Sequence, residues 1–163
     1  MMDTIKEPGL IELIKRGGGF RTIPGAGPQE LLANLIGGIY LPPSMDRAAL
    51  LNAVLEREAL MPTAVGSGIA LPHPRQPLIT DPAEQFVTIA YTEQGLDWKA
   101  LDGKPVYTVI LIVSASAKMH LHTLSRINFF CRQESFRVQL ENRVPSGDIL
   151  KTIEETERTW NNN

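Results

Sequence analysis

One histidine of this chain lies in a stiff and distinctive stretch. Residues 66–75 read Gly-Ser-Gly-Ile-Ala-Leu-Pro-His-Pro-Arg, so His73 stands between two prolines. Each proline fixes its own φ at about −65° and disfavours the α region for the residue before it. The two glycines upstream allow the backbone to turn tightly. We therefore expect a rigid segment that presents one imidazole at a fixed place, with the guanidinium of Arg75 two residues away.

An isolated imidazole can act as a general base, a metal ligand or a nucleophile. A serine-hydrolase elbow is excluded because the chain has no G-x-S-x-G sequence. A zinc site of His73, His120 and one carboxylate is an alternative, although the chain has no HxxxH or HExxH pair. Phosphoryl chemistry is favoured, because a neutral imidazole accepts a phosphoryl group and guanidinium groups stabilise its oxygens. Arg57 and Arg75 flank His73 in sequence, and arginine suits bidentate phosphate contacts.

The other two histidines are His120 and His122. Residues two apart on a helix point to different faces, so at most one of them faces a given target. His120 follows the long apolar run 106–113, near the start of the next predicted helix. Groups at the carboxyl ends of strands commonly line sites in α/β proteins. We predict that His120 faces His73 across a cleft. A purely structural role at a helix end is the alternative for His120 and the preferred interpretation for His122.

Length and composition narrow the class of protein. A chain of 163 residues with 43% apolar and 21% charged residues is typical of one globular domain. The net charge of −2 gives no electrostatic footprint for nucleic acid. The single cysteine, Cys131, excludes an internal disulfide and a multi-cysteine zinc site. The sequence has neither a membrane-spanning apolar stretch nor a signal-peptide layout at its N-terminus. We therefore expect a single cytoplasmic domain over residues 1–163, without membrane insertion.

Hydrophobic periodicity and turn residues predict the secondary structure. Helices are predicted at 9–16, 28–36, 45–60, 118–132, 135–143 and 148–159, and strands at 20–23, 86–92 and 106–113. Gly37 and Gly38 are expected to end the second helix, and Ser44 to cap the third. The stretch 95–105 is interpreted as an extended connection. Leu121 falls on the stripe of the fourth helix that is expected to face the core.

The run 106–113 determines the predicted fold class. It is nearly all apolar or β-branched, which fits a central strand buried on both faces. A strand covered on both faces needs helices on each side of its sheet. The sequence therefore predicts an α/β fold, with a β-sheet sandwiched between α-helices.

Three blocks of the sequence resemble one protein family. They are Glu56-Arg57-Glu58 followed by residues 66–73, then residues 97–106, and then residues 118–125. In this order they resemble the enzyme IIA domains of the fructose–mannitol type, which belong to the bacterial phosphoenolpyruvate-dependent sugar phosphotransferase system. The similarity covers residues from about 28 to about 158. Within the family, the blocks look most like the stand-alone nitrogen-regulatory branch.

The resemblance implies a site and its partners. It implies that His73 is the phosphorylated residue, that Arg57 supports the phosphoryl group and that His120 is the second active-centre histidine. Further candidates for contacting the phosphate are Arg75, Thr63 and Ser67, with a turn-forming role as the preferred interpretation for Thr63 and Ser67. The phosphoryl group would come from a histidine phosphocarrier protein, HPr or its nitrogen-branch counterpart, and would pass to a IIB domain or stay as a signal. The resemblance implies no metal and no organic cofactor. The fold of the family is a mixed β-sheet flanked by helices.

Two function classes follow from the resemblance. The protein is either a regulator whose phosphorylation state selects its partners, or a sugar-specific IIA component that passes phosphate to a IIB domain. The sequence contains no IIB, IIC or carrier domain, which favours regulation because transport subunits of this type are often fused. A third class follows from Pro74, which stands where the family usually has glycine and removes an amide that could bind phosphate. That class is a binding module that has kept the fold and lost phosphotransfer.

Overall fold

A five-stranded β-sheet lies at the centre of the computed structural model, which describes residues 8–161. The helices are α1 Leu10–Arg16, α2 Pro28–Gly38, α3 Arg47–Leu60, α4 Ala117–Cys131, α5 Glu134–Glu141 and α6 Ser146–Asn161. The strands are β1 Phe20–Ile23, β2 Ala64–Gly66, β3 Ile69–Ala70, β4 Phe86–Leu96 and β5 Val106–Val113. Within residues 8–161, none of these helices has the length and apolar character needed to cross a bilayer.

The sheet is mixed, with β5 in the middle of the order β1-β4-β5-β3-β2. β1 runs parallel to β4, and β3 runs parallel to β5. The pairs β4–β5 and β2–β3 are antiparallel. The carboxyl ends of β3 and β5 therefore meet at one edge of the sheet, where both chain segments leave it.

The central strand is buried on both faces, as the sequence predicts. Val109, Leu111 and Val113 pack into a cluster with residues of α2 and α3. Ile110 and Ile112 pack into a second cluster with residues of α1, α4, α5 and α6. Alternate side chains of a strand point to opposite faces, so one apolar run supplies both cores. The predicted α/β sandwich is confirmed.

The two expectations about helix ends have different outcomes. The helix α2 ends at the glycine pair as predicted, but Gly37 and Gly38 are its last two residues instead of lying beyond it, since glycine costs a helix only about 1 kcal/mol relative to alanine. Ser44 does not cap α3; Asp46 does, by accepting a hydrogen bond from the Ala49 N–H at 2.9 Å. The hydroxyl of Ser44 instead donates to a carboxylate oxygen of Glu84.

The strands are also more extensive than predicted. β4 continues beyond residue 92 to Leu96, which pairs with Val106 after a shift of register. Part of the expected connection 95–105 is therefore strand. The short antiparallel pair β2–β3, which lies directly before His73, was not predicted at all.

Candidate functional site

His73 is held in place by backbone hydrogen bonds on both sides of its segment. After β3, the Leu71 N–H donates to the Thr63 carbonyl at 3.0 Å. One residue later the Pro72 carbonyl accepts from the Ile112 N–H of β5, also at 3.0 Å. Although the prolines have no N–H groups, the segment is anchored by hydrogen bonds from its remaining backbone groups. This anchoring supports the expected rigid presentation of the imidazole.

The ring of His73 has a defined tautomer. Its Nδ1 lies 2.9 Å from the carbonyl oxygen of Leu71. A carbonyl oxygen only accepts hydrogen bonds, so Nδ1 must carry the hydrogen and Nε2 keeps its lone pair. The pKa of His73 lies below its ordinary value, mainly because the ring is buried. The hydrogen bond to Leu71 and the charge of Glu58 raise this pKa, and the charge of Arg57 lowers it. The net lowering favours a neutral ring with a nucleophilic Nε2 at neutral pH.

The sheet topology brings His120 to His73. His73 follows β3, and His120 lies near the start of α4, which follows β5. Because these strands are parallel neighbours, both histidines lie at the same edge of the sheet. Their ring centroids are 4.4 Å apart, with 40° between the ring planes. The predicted proximity of His73 and His120 is confirmed, while their chemical roles remain predictions.

His120 is strongly biased toward its neutral form. Burial, followed by the positive charges of His73 and Arg57, lowers the pKa of His120 to about 4. A neutral imidazole beside His73 can donate one hydrogen bond to an incoming oxygen without adding a second positive charge.

This pKa makes a prediction about stability. The unfolded chain protonates His120 at its ordinary pKa of about 6.5, whereas the folded protein does so at about 4. Between these pH values the unfolded state binds more protons, so the free energy of unfolding falls as the pH is lowered. The variant His120→Asn should lose part of this fall when urea unfolding is measured at about pH 7 and about pH 4.5. Identical pH dependence in the variant and the wild type would contradict the assigned pKa.

Two arginines line the cleft that contains the histidines. The cleft has a volume of about 250 Å³, and its other lining residues are Pro74, Gln76, Pro77, Ile112, Ser114, Ala117 and Leu121. Arg57, in the last turn of α3, donates from Nη1 to the Met61 carbonyl at 2.7 Å. Arg75 forms an exposed ion pair with Glu56 at 3.1 Å. The cleft therefore combines two imidazoles and two guanidinium groups.

The amino end of α4 adds to the positive character of the cleft. Ala117 is both the first residue of α4 and part of the cleft wall. Ser116 caps the helix by accepting from the Met119 N–H at 3.1 Å. The first N–H groups of a helix and the positive end of its dipole favour an anion.

Two predicted phosphate contacts do not reach this cleft. Thr63 is buried, and its hydroxyl donates to the Glu58 carboxylate. Ser67 lies in the turn between β2 and β3, where its N–H donates to Asp102 at 2.8 Å. That turn precedes β3, whereas His73 follows it, so the strand separates the two positions. Neither Thr63 nor Ser67 is among the residues that line the cleft. The exposed His122 is not among the residues that line the cleft.

Sequence reasoning also misplaced Leu121 and gave Glu58 no role. Leu121 is 61% exposed at the cleft rim, because α4 turns Thr123, Ile127 and Phe130 toward the core instead. Glu58 sits behind the cleft as a half-buried carboxylate. A carboxylate on the inner face of a predicted helix needs polar partners, and that requirement was the available signal for Glu58.

The metal alternative finds no support in the geometry. Among residues 8–161, no three side chains of histidine, cysteine, aspartate or glutamate cluster in a way that could hold a metal ion.

Comparison with known proteins identifies the family. Residues 30–156 match the family model described as phosphoenolpyruvate-dependent sugar phosphotransferase system, EIIA 2. A fructose-specific EIIA component from Haloferax volcanii is 34% identical over 115 residues, which are 68% of this chain and 73% of that protein. A nitrogen regulatory protein from Pseudomonas aeruginosa is 28% identical over 149 residues, covering 88% of this chain and 93% of that protein. A fructose-specific EIIABC component from Bacillus subtilis is 31% identical over 69% of this chain, which spans only 18% of that relative's length.

Solved structures share the fold. The nitrogen regulatory protein IIA-Ntr from Neisseria meningitidis superposes with a TM-score of 0.74 at 23% identity, over 88% of this chain and 97% of that one. Mannitol enzyme IIA from Escherichia coli, solved in complex with phosphorylated mannitol enzyme IIB, gives a TM-score of 0.62 at 18% identity, over 82% and 92% of the two chains. The matched family model spans most of the chain and includes both histidines and both arginines of the cleft. The protein therefore belongs to the EIIA 2 family of the phosphoenolpyruvate-dependent sugar phosphotransferase system.

Proposed function

We propose that this protein accepts a phosphoryl group on Nε2 of His73 from a phosphorylated histidine carrier protein of the HPr type. The observation that carries the proposal is the hydrogen bond from His73 Nδ1 to the Leu71 carbonyl at 2.9 Å. It leaves Nε2 as the nucleophilic nitrogen on a ring that lines an open, arginine-flanked cleft. Lowering of the His73 pKa by burial supports the same assignment, because only the neutral ring has a lone pair to offer.

The transfer needs no proton movement at His73. The Nε2 lone pair forms a bond to phosphorus while the bond between phosphorus and the carrier's nitrogen breaks. That electron pair returns to the carrier's ring, which leaves as a neutral imidazole when its other nitrogen carries a proton. Nδ1–H stays on its ring throughout, bonded to Leu71. Both bonds are phosphorus–nitrogen bonds, so the exchange is reversible and suits a relay.

The charge on the transferred group is met by groups already present in the cleft. We assign Arg57 to the equatorial phosphoryl oxygens, because preorganised cations in a partly dry site lower the barrier to phosphoryl transfer. His120 is assigned one hydrogen bond to the same group. Arg75 stays a candidate, since its ion pair with Glu56 is exposed, and such pairs are weak enough for a phosphate to displace.

We further propose that the main role is regulatory, as a nitrogen-type protein whose partners depend on phosphorylation. The nitrogen regulatory protein of Pseudomonas aeruginosa supports this, since it aligns over nearly the full length of both chains. The alternative is a fructose-type transport component that passes the phosphate to a IIB domain. The Haloferax volcanii relative supports that alternative.

The regulatory role predicts a difference in partner affinity. Phosphorylation adds nearly two negative charges to the cleft. A partner that reads this state should bind the phosphorylated and free forms with affinities that differ by about 1–3 kcal/mol, the usual range for coupled sites. Titration calorimetry of both forms with a captured partner measures the difference. Equal affinities would refute the switch and leave only the relay.

The experiment that tests the proposed function is phosphoryl transfer from a purified carrier. The wild-type protein is mixed with HPr-type carrier that carries radioactive phosphate, and acid-labile, base-stable label is then sought on this chain. We expect label within the time that another EIIA 2 protein requires, and none when the carrier is unphosphorylated. Failure of the wild type to accept label from carriers that serve such a protein would reject the proposal and favour a binding module.

A further inference from the structure

The carboxylate of Glu58 connects three separate parts of the molecule behind the cleft. Its Oε2 accepts hydrogen bonds from the Thr63 N–H and from the Trp98 indole N–H, each at 3.1 Å. Its Oε1 accepts from the Thr63 hydroxyl. Trp98 is 2% exposed and Thr63 is 7% exposed, so all three donors lie in a dry environment. The carboxylate therefore joins the end of α3, the β4–β5 connection and the residue directly before β2.

From Glu58 the contacts continue to the reactive ring. Thr63, which Glu58 holds through two hydrogen bonds, accepts the Leu71 N–H on its carbonyl at 3.0 Å. The Leu71 carbonyl then accepts the Nδ1–H of His73 at 2.9 Å. Glu58 is also adjacent to Arg57 on the last turn of α3. One carboxylate thus restrains the segment that holds the nucleophile, and it lies next in sequence to the arginine assigned to the phosphate.

We propose that Glu58 is a positioning residue for His73: through Thr63 and Leu71 it fixes the ring and its Nδ1–H tautomer, so that Nε2 is always the nitrogen offered to the phosphoryl donor. Glu58 is not part of the cleft wall; it positions His73 through these neighbours, and its charge raises the pKa of the ring. The proposal rests on the proposed phosphoryl acceptance for its kinetic consequence. Its structural consequence, the tautomer, does not depend on any phosphoryl donor.

Two substitutions separate the hydrogen bonds of Glu58 from its charge. In Glu58→Gln the amide oxygen can occupy the Oε2 position and the amide nitrogen can donate to the Thr63 hydroxyl, so all three contacts have a counterpart. In Glu58→Ala all three are lost. Glu155→Ala removes an exposed carboxylate on α6 and serves as the matched control.

The first readout is the ¹⁵N spectrum of the His73 ring in the unphosphorylated protein. We expect Nδ1–H alone in the wild type, in Glu58→Gln and in Glu155→Ala, and a mixture of tautomers in Glu58→Ala. We also expect the pKa of His73 to fall further in both Glu58 variants, because the Glu58 charge raises it. An unchanged tautomer in a folded Glu58→Ala protein would overturn the proposal, whether or not the protein accepts phosphate.

The second readout is the rate of label transfer from the carrier. Misplacement of a reactive group by a distant substitution can cost roughly 100-fold, so we expect Glu58→Ala to be about 10- to 100-fold slower and Glu58→Gln to stay near the wild-type rate. If Glu58→Ala fails to fold, the variant Thr63→Val replaces it, since this substitution removes the hydroxyl contact to Glu58 and keeps the backbone contacts of residue 63. A mixture of His73 tautomers and slower transfer are then expected of Thr63→Val. Wild-type tautomer and rate in the folded variants would contradict the assignment.

Discussion

Replacing His73 with alanine should abolish phosphoryl acceptance completely. The proposed reaction forms its new bond at Nε2 of this ring, so the variant has no atom to receive phosphorus. His120 is not expected to take its place, because within residues 8–161 no backbone carbonyl orients the ring of His120 as the Leu71 carbonyl orients that of His73. Label transfer from phosphorylated carrier, followed by acid treatment, measures the effect.

His122→Ala is the control for the His73 variant. It removes an imidazole only two residues from His120, but from an exposed position outside the cleft wall. Transfer to this variant should match the wild type. Far-ultraviolet circular dichroism should show that both variants keep the fold. Acid-labile label that persists in His73→Ala would place the phosphate on another residue and refute the assignment.

Replacing Arg57 with alanine should slow phosphoryl acceptance by roughly 100-fold, the usual cost of removing one preorganised donor from a developing oxyanion. The guanidinium lies close enough to both histidines to lower the pKa of each. The charge it supplies to them is therefore available to a phosphoryl group bound between them. The transfer rate of Arg57→Lys should lie between those of Arg57→Ala and the wild type, because lysine keeps the charge and loses the planar, bidentate geometry.

The control for Arg57 is Arg158→Ala, which removes an exposed guanidinium paired with Glu154 on α6. It matches the loss of one positive charge without altering the cleft, so its transfer rate should be unchanged. Arg57 also donates to the Met61 carbonyl, and the thermal midpoint of each variant should be measured for that reason. Equal transfer rates for Arg57→Ala and Arg158→Ala would show that Arg57 takes no part in transfer.

The layers of the fold could be predicted from the sequence because the pattern of one strand shows that helices cover both faces of the sheet. β5 is long and apolar on both faces, and its alternating residues enter both cores. A two-residue strand such as β3 has no period to detect, and the turn before it runs through positive φ at Gly66, Ser67 and Gly68. The only local sequence signal for such a turn is its two glycines, and two glycines are equally compatible with a loop.

The pair of histidines was predictable for a topological reason. Each one follows a strand, and strands that run parallel side by side end at the same edge of a sheet. The predictions that failed at this site concerned residues whose position depends on the direction in which a short segment turns. Ser67 is only six residues from His73, yet β3 lies between them and carries them to opposite ends of a strand.

The contact between Glu58 and Trp98 could not be derived from the sequence because the two residues are distant along the chain. Trp98 lies 40 residues away from Glu58, and nothing local pairs the indole with this carboxylate. The same applies to Leu121, whose exposure depends on the rotation of α4 against the sheet. Periodicity gives the width of an apolar face more reliably than its direction.

The most direct test of the central claim is to identify the nitrogen that carries the phosphate. The protein is labelled with ¹⁵N-histidine and phosphorylated by the carrier, and its ring nitrogens are assigned by NMR together with their coupling to ³¹P. We predict one phosphorylated nitrogen, Nε2 of His73, with Nδ1–H of the same ring still present. Phosphate on Nδ1 of His73, or on either nitrogen of His120, would contradict the account.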